Sequence, residues 1–217
     1  MKAFNKKELI TVLFTSSILI ANVTASKLTF VDLPYFGLIG VTAAFVPFGM
    51  ALLFSDVLNE EYGERYARRV VNSTLIALIV AYLIIWLTIY LPAAPFYELS
   101  EEYRQVLGSS TSVMIASVIS FGLTQHIDIS IFTKVKKLTG YKFKFARNII
   151  STFTSQFLDT VVFVLLAFFV IPSFQGLSVL GFSALASVFV GEYLMKLLVA
   201  SLDTPLFYLL TGDGNDS

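Results

Sequence analysis

Two stretches of the chain carry the same polar phrase, Gln125-His126-Ile127-Asp128 followed by Phe132, and Gln156-Phe157-Leu158-Asp159 followed by Phe163. On a helix, positions i and i+3 share a face and i+7 returns to it two turns later, so each phrase sets an amide, a carboxylate and an aromatic ring in one column. An amide both donates and accepts, a carboxylate accepts two N–H bonds side by side, and aromatic rings cover flat faces; this inventory suits a flat heterocycle. Asp159 is the strongest signal. It lies deep in an apolar run, where an unpartnered carboxylate costs about 2.5–3.5 kcal/mol at the centre of a membrane helix. It therefore either lines a binding site or sits in an ion pair, with Lys196 the partner at hand. Asp128 has two readings as well, a site carboxylate or an interface charge paired with Lys134 or an arginine. His126 falls on a different face from Asp128 and reads as a packed or interfacial side chain.

Further polar groups stand in or beside apolar runs. In Ala21-Asn22-Val23-Thr24-Ala25-Ser26-Lys27, Thr24 and Ser26 read as hydrogen-bonding glue between helices, and Asn22 reads either as glue or as an amide for a ligand. Asp56 and Glu60 are four apart and share a face, with Asn59 beside them, and read as site carboxylates; Glu61 and Glu64 read as a solvated helix end, Glu64 pairing with Arg68. Glu192 and Lys196 are also four apart, acid before base, and form either a self-neutralising pair or part of the site. Abundant Phe and Tyr, with the single Trp86, supply rings to cover a ligand.

The elements that must position these residues are membrane helices. The chain has 217 residues, 56% of them hydrophobic, and a positive mean hydropathy, more apolar than a soluble core of this size needs. Six spans of about 20 residues can be drawn: Leu9–Leu28, Leu38–Leu58, Val70–Leu91, Thr111–Phe132, Ile149–Ile171 and Leu180–Leu202, the last with an apolar run that extends toward Leu210. The fold expected is an all-α, multi-pass integral membrane protein: one domain over residues 1–211, with a polar tail at 212–217. Basic residues flank the spans on one side, at Lys2, Lys6 and Lys7, at Arg65, Arg68 and Arg69, and at Lys134, Lys136, Lys137, Lys142, Lys144 and Arg147, against Lys27 and Arg104 on the other, so both termini are expected in the cytoplasm. The acidic, proline-interrupted loop Pro92–Gly108 is expected to carry a short amphipathic turn on the outer side, with Pro172 and Gly176 marking the other outer turn. The repeat of the polar phrase on adjacent, opposed helices hints at an inverted repeat.

Several function classes drop out. Without cysteine there is no disulfide, thiolate catalysis or sulfur-ligated metal, and a single histidine excludes a multi-histidine metal site. No nucleophile stands with a base and no glycine loop cradles phosphate, so the chain does not read as an enzyme and no cofactor is expected. The zero formal charge gives no pointer to nucleic acid. No span reads as broken by Gly or Pro at its centre, as a sodium site of unwound backbone would require.

Four motifs in order, Ala21 to Lys27, Ser55-Asp56-Val57-Leu58-Asn59-Glu60-Glu61-Tyr62-Gly63, Gln125 to Phe132, and Arg147 through Ser151-Thr152, Gln156 and Asp159-Thr160 to Phe163, resemble those of the queuosine-precursor transporters, also called the vitamin uptake transporter family. The resemblance covers nearly the whole chain. It implies a six-helix importer in the cell membrane for 7-deazaguanine bases, 7-cyano-7-deazaguanine and its aminomethyl relative, salvaged for tRNA modification. Carried over, Asn22, Asp56, Glu60, Gln125, Asp128, Gln156 and Asp159 become substrate-binding residues, with Glu192 and Lys196 a looser match. The partners this implies are the lipid bilayer and a small purine-like substrate, and it is compatible with a homo-oligomer. An alternative of similar length and helix count is the substrate-binding component of an energy-coupling-factor vitamin importer, which would need ATPase partners.

Overall fold

The computed structural model describes residues 5–25, 27–33, 37–107, 111–140, 144–174, 176, 179 and 181–211. Ser26, the side chain of Arg147 and the tail at 212–217 lie outside the described residues. In chain order the elements are α1 (Lys6–Thr24), a hairpin of β1 (Leu28–Leu33) and β2 (Gly37–Thr42), α2 (Phe45–Tyr62), α3 (Glu64–Tyr90), α4 (Ser100–Leu107), α5 (Thr111–Leu138), α6 (Lys144–Leu165), a π-turn at Leu166–Val170, α7 (Ile171–Phe174) and α8 (Phe182–Thr211).

Five stretches, Lys6–Thr24, Glu64–Tyr90, Ile115–Leu138, Asn148–Phe174 and Phe182–Leu202, are long and apolar enough to cross a membrane. The eighteen-residue α2 is not among them, because Asp56, Glu60 and Glu61 load it with carboxylates. The pattern of burial is that of a membrane protein. Polar side chains such as Thr74, Gln125, Ser155 and Thr160 are buried, while Ile76, Ile79, Val80, Leu83 and Ile84 of α3 face outward, where lipid can cover them and water could not without cost. The chain is a multi-pass, predominantly helical membrane protein.

The second drawn span needs correction at its start: residues 37–42 form a strand, and the helix begins only at Phe45. The hairpin is antiparallel, Leu28 opposite Thr42 and Leu33 opposite Gly37. Thr29, Val31, Val41 and Thr42 are β-branched, and Gly37 and Gly40 weaken any helix, so local preference here opposes the helical reading that hydropathy suggested. Val41 is fully buried, and the Thr42 amide donates to Glu192 Oε1 on α8 at 3.3 Å, anchoring the hairpin to the bundle. Pro47 falls in the first turn of α2, where its missing N–H has no partner to lose.

Other boundaries shift outward. The third and fourth helices extend past the drawn spans, and Pro172, expected in a turn, sits inside α7 beyond a π-turn closed by the Ile171 amide on Leu166 O. The acidic loop does carry a short helix, α4, whose Tyr103 hydroxyl donates to Thr88 at 2.8 Å. At one end of the bundle Lys6 pairs with Glu61 at 3.1 Å and donates to the Leu210 carbonyl, while Lys136 pairs with Glu60 at 3.0 Å. These contacts gather the start of α1 and the ends of α2, α5 and α8.

The core is built from Phe14 and Ile18 of α1, Val57 and Leu58 of α2, Leu78 of α3, Ile129 and Phe132 of α5 and Phe207 of α8. A polar ladder runs beside it between α1 and α3, with Thr11 on Tyr66 at 3.0 Å and Thr15 on Thr74 at 2.9 Å. It ends at Asn22, whose Oδ1 accepts from Tyr82 of α3 and Ser117 of α5, both at 2.5 Å, while its Nδ2 donates to Ile18 O.

Two predictions follow from this frame. Gly63 links α2 to α3 with φ 80° and ψ 164°, its amide capping Asn59 O, a backbone region costing a side chain about 1–3 kcal/mol. Although a Cβ there would meet no neighbour, Gly63→Ala is expected to lower the melting temperature of the detergent-purified protein. Asn22→Ala strands two half-buried hydroxyls, at a cost of about 1 kcal/mol or more, and should lower it as well, and Tyr82→Phe should recover part of that loss when added to Asn22→Ala.

Candidate functional site

The two polar phrases meet across α5 and α6. Thr124 Oγ1 donates to Asp159 Oδ1 at 3.0 Å, and Ser155 Oγ donates to Asp128 Oδ1 at 2.8 Å. As α5 advances four residues α6 retreats four, so the helices are antiparallel and the contacts are reciprocal. Each carboxylate is held by the hydroxyl that stands immediately before the other phrase's glutamine, in Thr124-Gln125-x-x-Asp128 and Ser155-Gln156-x-x-Asp159. Thr124 and Ser155 were not among the residues singled out for the site, although a hydroxyl at the same offset in both phrases was the signal that would have found them. The hydroxyls solve a problem of burial: Asp128 and Asp159 are only 2% and 4% exposed, and each unmet carboxylate oxygen there would carry a large desolvation cost.

Beyond the shared clasp the two carboxylates differ. Asp159 Oδ2 lies 2.6 Å from Lys196 Nζ of α8, whose ammonium also reaches Thr160 Oγ1 at 3.4 Å and stands 5.1 Å from the centre of the Phe48 ring of α2. This is the ion pair that sequence reasoning held open. Glu192 does not neutralise Lys196; its carboxylate takes the Thr42 amide instead. Asp128 turns toward Ser151, Ser155 and the carboxyl of Asp56 on α2, and among the described residues it forms no ion pair with Lys134 or an arginine, the Arg147 side chain lying outside them. Gln125, the next residue to Thr124, donates through Nε2 to Ser55 Oγ at 2.6 Å and so ties α5 to α2 beside Asp56.

Gln156 is the exception to this satisfaction. It is 1% exposed, and among the described residues its Oε1 has no hydrogen-bond partner. On α6 it stands one turn before Asp159 and Thr160, so this acceptor lies next to a carboxylate paired with the Lys196 ammonium.

The remaining expected residues divide. Glu60 is one turn beyond Asp56 and is held by Lys136, which also donates to its backbone carbonyl at 3.2 Å; Asn59 bonds Ile129 O and Thr133. Asn22 has its amide used by α1, α3 and α5, the arrangement of helix glue. The aromatic members of the two columns pack elsewhere, Phe132 against Phe207 in the core and Phe163 against Phe168 in the π-turn. Trp86 is 55% exposed and packs at a tilt against Tyr90, well outside the buried polar group. His126 does face away from Asp128. Arg68 can only donate, so His126 Nδ1 accepts from it at 3.0 Å and Nε2–H donates to Asn72 at 2.9 Å, while Arg68 keeps its i, i+4 partner Glu64.

Among the described residues no cluster of His, Cys, Asp and Glu is disposed to hold a metal ion. The arrangement consists of buried carboxylates and amides drawn from α2, α5 and α6 with the Lys196 ammonium of α8 beside them, groups able to hydrogen-bond a polar ligand.

The family model described as "Putative vitamin uptake transporter" matches residues 42–210, which takes in α2 to α8 and every one of these polar contacts except those of Asn22. No curated protein and no solved structure matches the chain. With most of its length under that model, and with membrane helices enclosing a buried polar site, the chain belongs to the vitamin uptake transporter family.

Proposed function

We propose that this carrier imports 7-deazaguanine bases, 7-cyano-7-deazaguanine and its aminomethyl relative, for salvage into modified tRNA. The observation that carries the reading is Gln156 Oε1, an acceptor sealed from water and without a donor. An orphaned acceptor of this kind costs about 1–3 kcal/mol in the empty protein, and a ligand that brings an N–H to it recovers that loss on binding. A guanine-type base presents its ring N1–H and exocyclic amine side by side, the pattern a carboxylate accepts through both oxygens. Asp159 is that carboxylate, and Gln156, one turn away, takes a further N–H of the same planar ligand. Asp128, Gln125 and Asp56 complete the polar surround from α5 and α2.

In this reading α2 joins the five apolar helices as a sixth span, the chain lies in the cell membrane as one transport domain, and the lysine- and arginine-rich ends face the cytoplasm. Access alternates around the buried site. The reciprocal Thr124–Asp159 and Ser155–Asp128 contacts make α5 and α6 a pseudo-symmetric pair, which suits rocking of one half against the other. The carrier works without ATPase partners.

The test is complementation. Cells that neither make nor import 7-cyano-7-deazaguanine, expressing this chain alone and fed the base, should regain the modified nucleoside in tRNA. Asp159→Asn should abolish the modification, and Gln156→Leu should reduce uptake about tenfold, with both variants present in the membrane at wild-type levels. No modification from a well-expressed wild type would overturn the assignment and point to another heterocycle or to missing partner chains.

A further inference from the structure

The ion pair between Lys196 and Asp159 occupies the same carboxylate that the proposed substrate must use. Asp159 Oδ1 is taken by Thr124 at 3.0 Å and Oδ2 by the lysine ammonium at 2.6 Å. A base offering two in-plane N–H groups engages both oxygens, so it competes with the lysine for Oδ2 as it does with Thr124 for Oδ1. We infer that Lys196 is an exchanging counter-ion: it neutralises Asp159 while the carrier is empty and gives way when the donor edge of the base arrives. This rests on the deazaguanine reading and adds to it how the empty carrier is kept neutral.

The surroundings provide for such an exchange. Lys196 stands on α8 and Asp159 on α6, so their contact depends on how the two helices sit, whereas Glu192 is on α8 itself, one turn before the lysine and within reach of its side chain. Among the described residues Glu192 is held only by the Thr42 amide at 3.3 Å, which leaves it able to take the displaced ammonium. The Phe48 face, 5.1 Å from Nζ, supports a cation along that path. Among the described residues, other charged groups on the packed helices have partners of their own: Glu60 with Lys136, Arg68 with Glu64, and Asp56 and Asp128 beside one another. Lys196 therefore passes between Asp159 in the empty carrier and Glu192 in the loaded one.

The consequence falls on one leg of the cycle. A loaded carrier has N–H donors on Asp159 and does not need the lysine; an empty carrier without it must reorient with a buried, uncompensated carboxylate, which is strongly unfavourable.

The experiment uses the full chain in proteoliposomes with labelled 7-cyano-7-deazaguanine, and measures both net uptake into empty vesicles and exchange into vesicles preloaded with the unlabelled base. Wild type should do both. Lys196→Met and Lys196→Gln should lose net uptake about a hundredfold, the order expected from breaking a buried ion pair, yet keep exchange near the wild-type rate; Lys196→Arg should restore part of net uptake. Loss of both activities in the folded variants, loss of neither, or failure of both neutral variants to fold would each overturn the inference. Should the wild type itself neither take up nor exchange the base, the substrate reading fails first and this inference with it, a result distinct from all the others.

Discussion

A carboxylate inside a membrane protein has no water to turn to, so the protein must supply every partner it needs. Asp128 and Asp159 meet that demand by reciprocity, each taking a hydroxyl from the helix that carries the other. The arrangement fixes the antiparallel register of α5 and α6, because sliding one helix by a single turn would strand both acids and both hydroxyls. Breaking the clasp would leave two buried acids short of donors, which is far costlier than losing two ordinary hydrogen bonds.

The other helices take their places from this pair. Gln125 reaches Ser55 and brings α2 alongside, which sets Asp56 next to Asp128. Lys196 reaches Asp159 and brings in α8, and Glu192 on the same helix collects the hairpin through the Thr42 amide. Farther out, Asn22 binds α1 to α3 and α5 through hydroxyls alone. Polar groups thus hold the inside of the bundle together while leucine and isoleucine cover its outside, since lipid provides no hydrophobic drive between helices and hydrogen bonds and close packing must serve instead.

Symmetry ends at the second oxygen of each acid. Asp159 has a lysine, which makes it an ion pair; Asp128 has serines and a neighbouring acid. Beside the ion pair lies the oxygen of Gln156, left without a donor among the described residues.

Much of this was legible in the sequence. Long apolar runs specify membrane helices because a bilayer leaves the backbone few alternatives; the buried depth of Asp159, the Glu64–Arg68 pair and the separate face of His126 follow from helical periodicity, which is local. What periodicity does not carry is which face meets which partner. Hydropathy ran the second span through residues 37–42, where β-branched side chains and glycines favour a strand. Helical spacing offered Glu192 and Lys196 to each other, yet the lysine went to Asp159 on another helix, because a deep carboxylate gains more from the ammonium than a residue that can take a backbone amide. Asn22 had equal claims as ligand and as glue until Tyr82 and Ser117 filled its carbonyl. The sequence alone determined that carboxylates and amides would be buried in a membrane bundle, since composition and period fix burial and depth; only the tertiary structure decided that Asp128 and Asp159 would clasp each other's helices and that Gln156 would be left waiting, because pairing between helices depends on register and rotation that no single segment encodes.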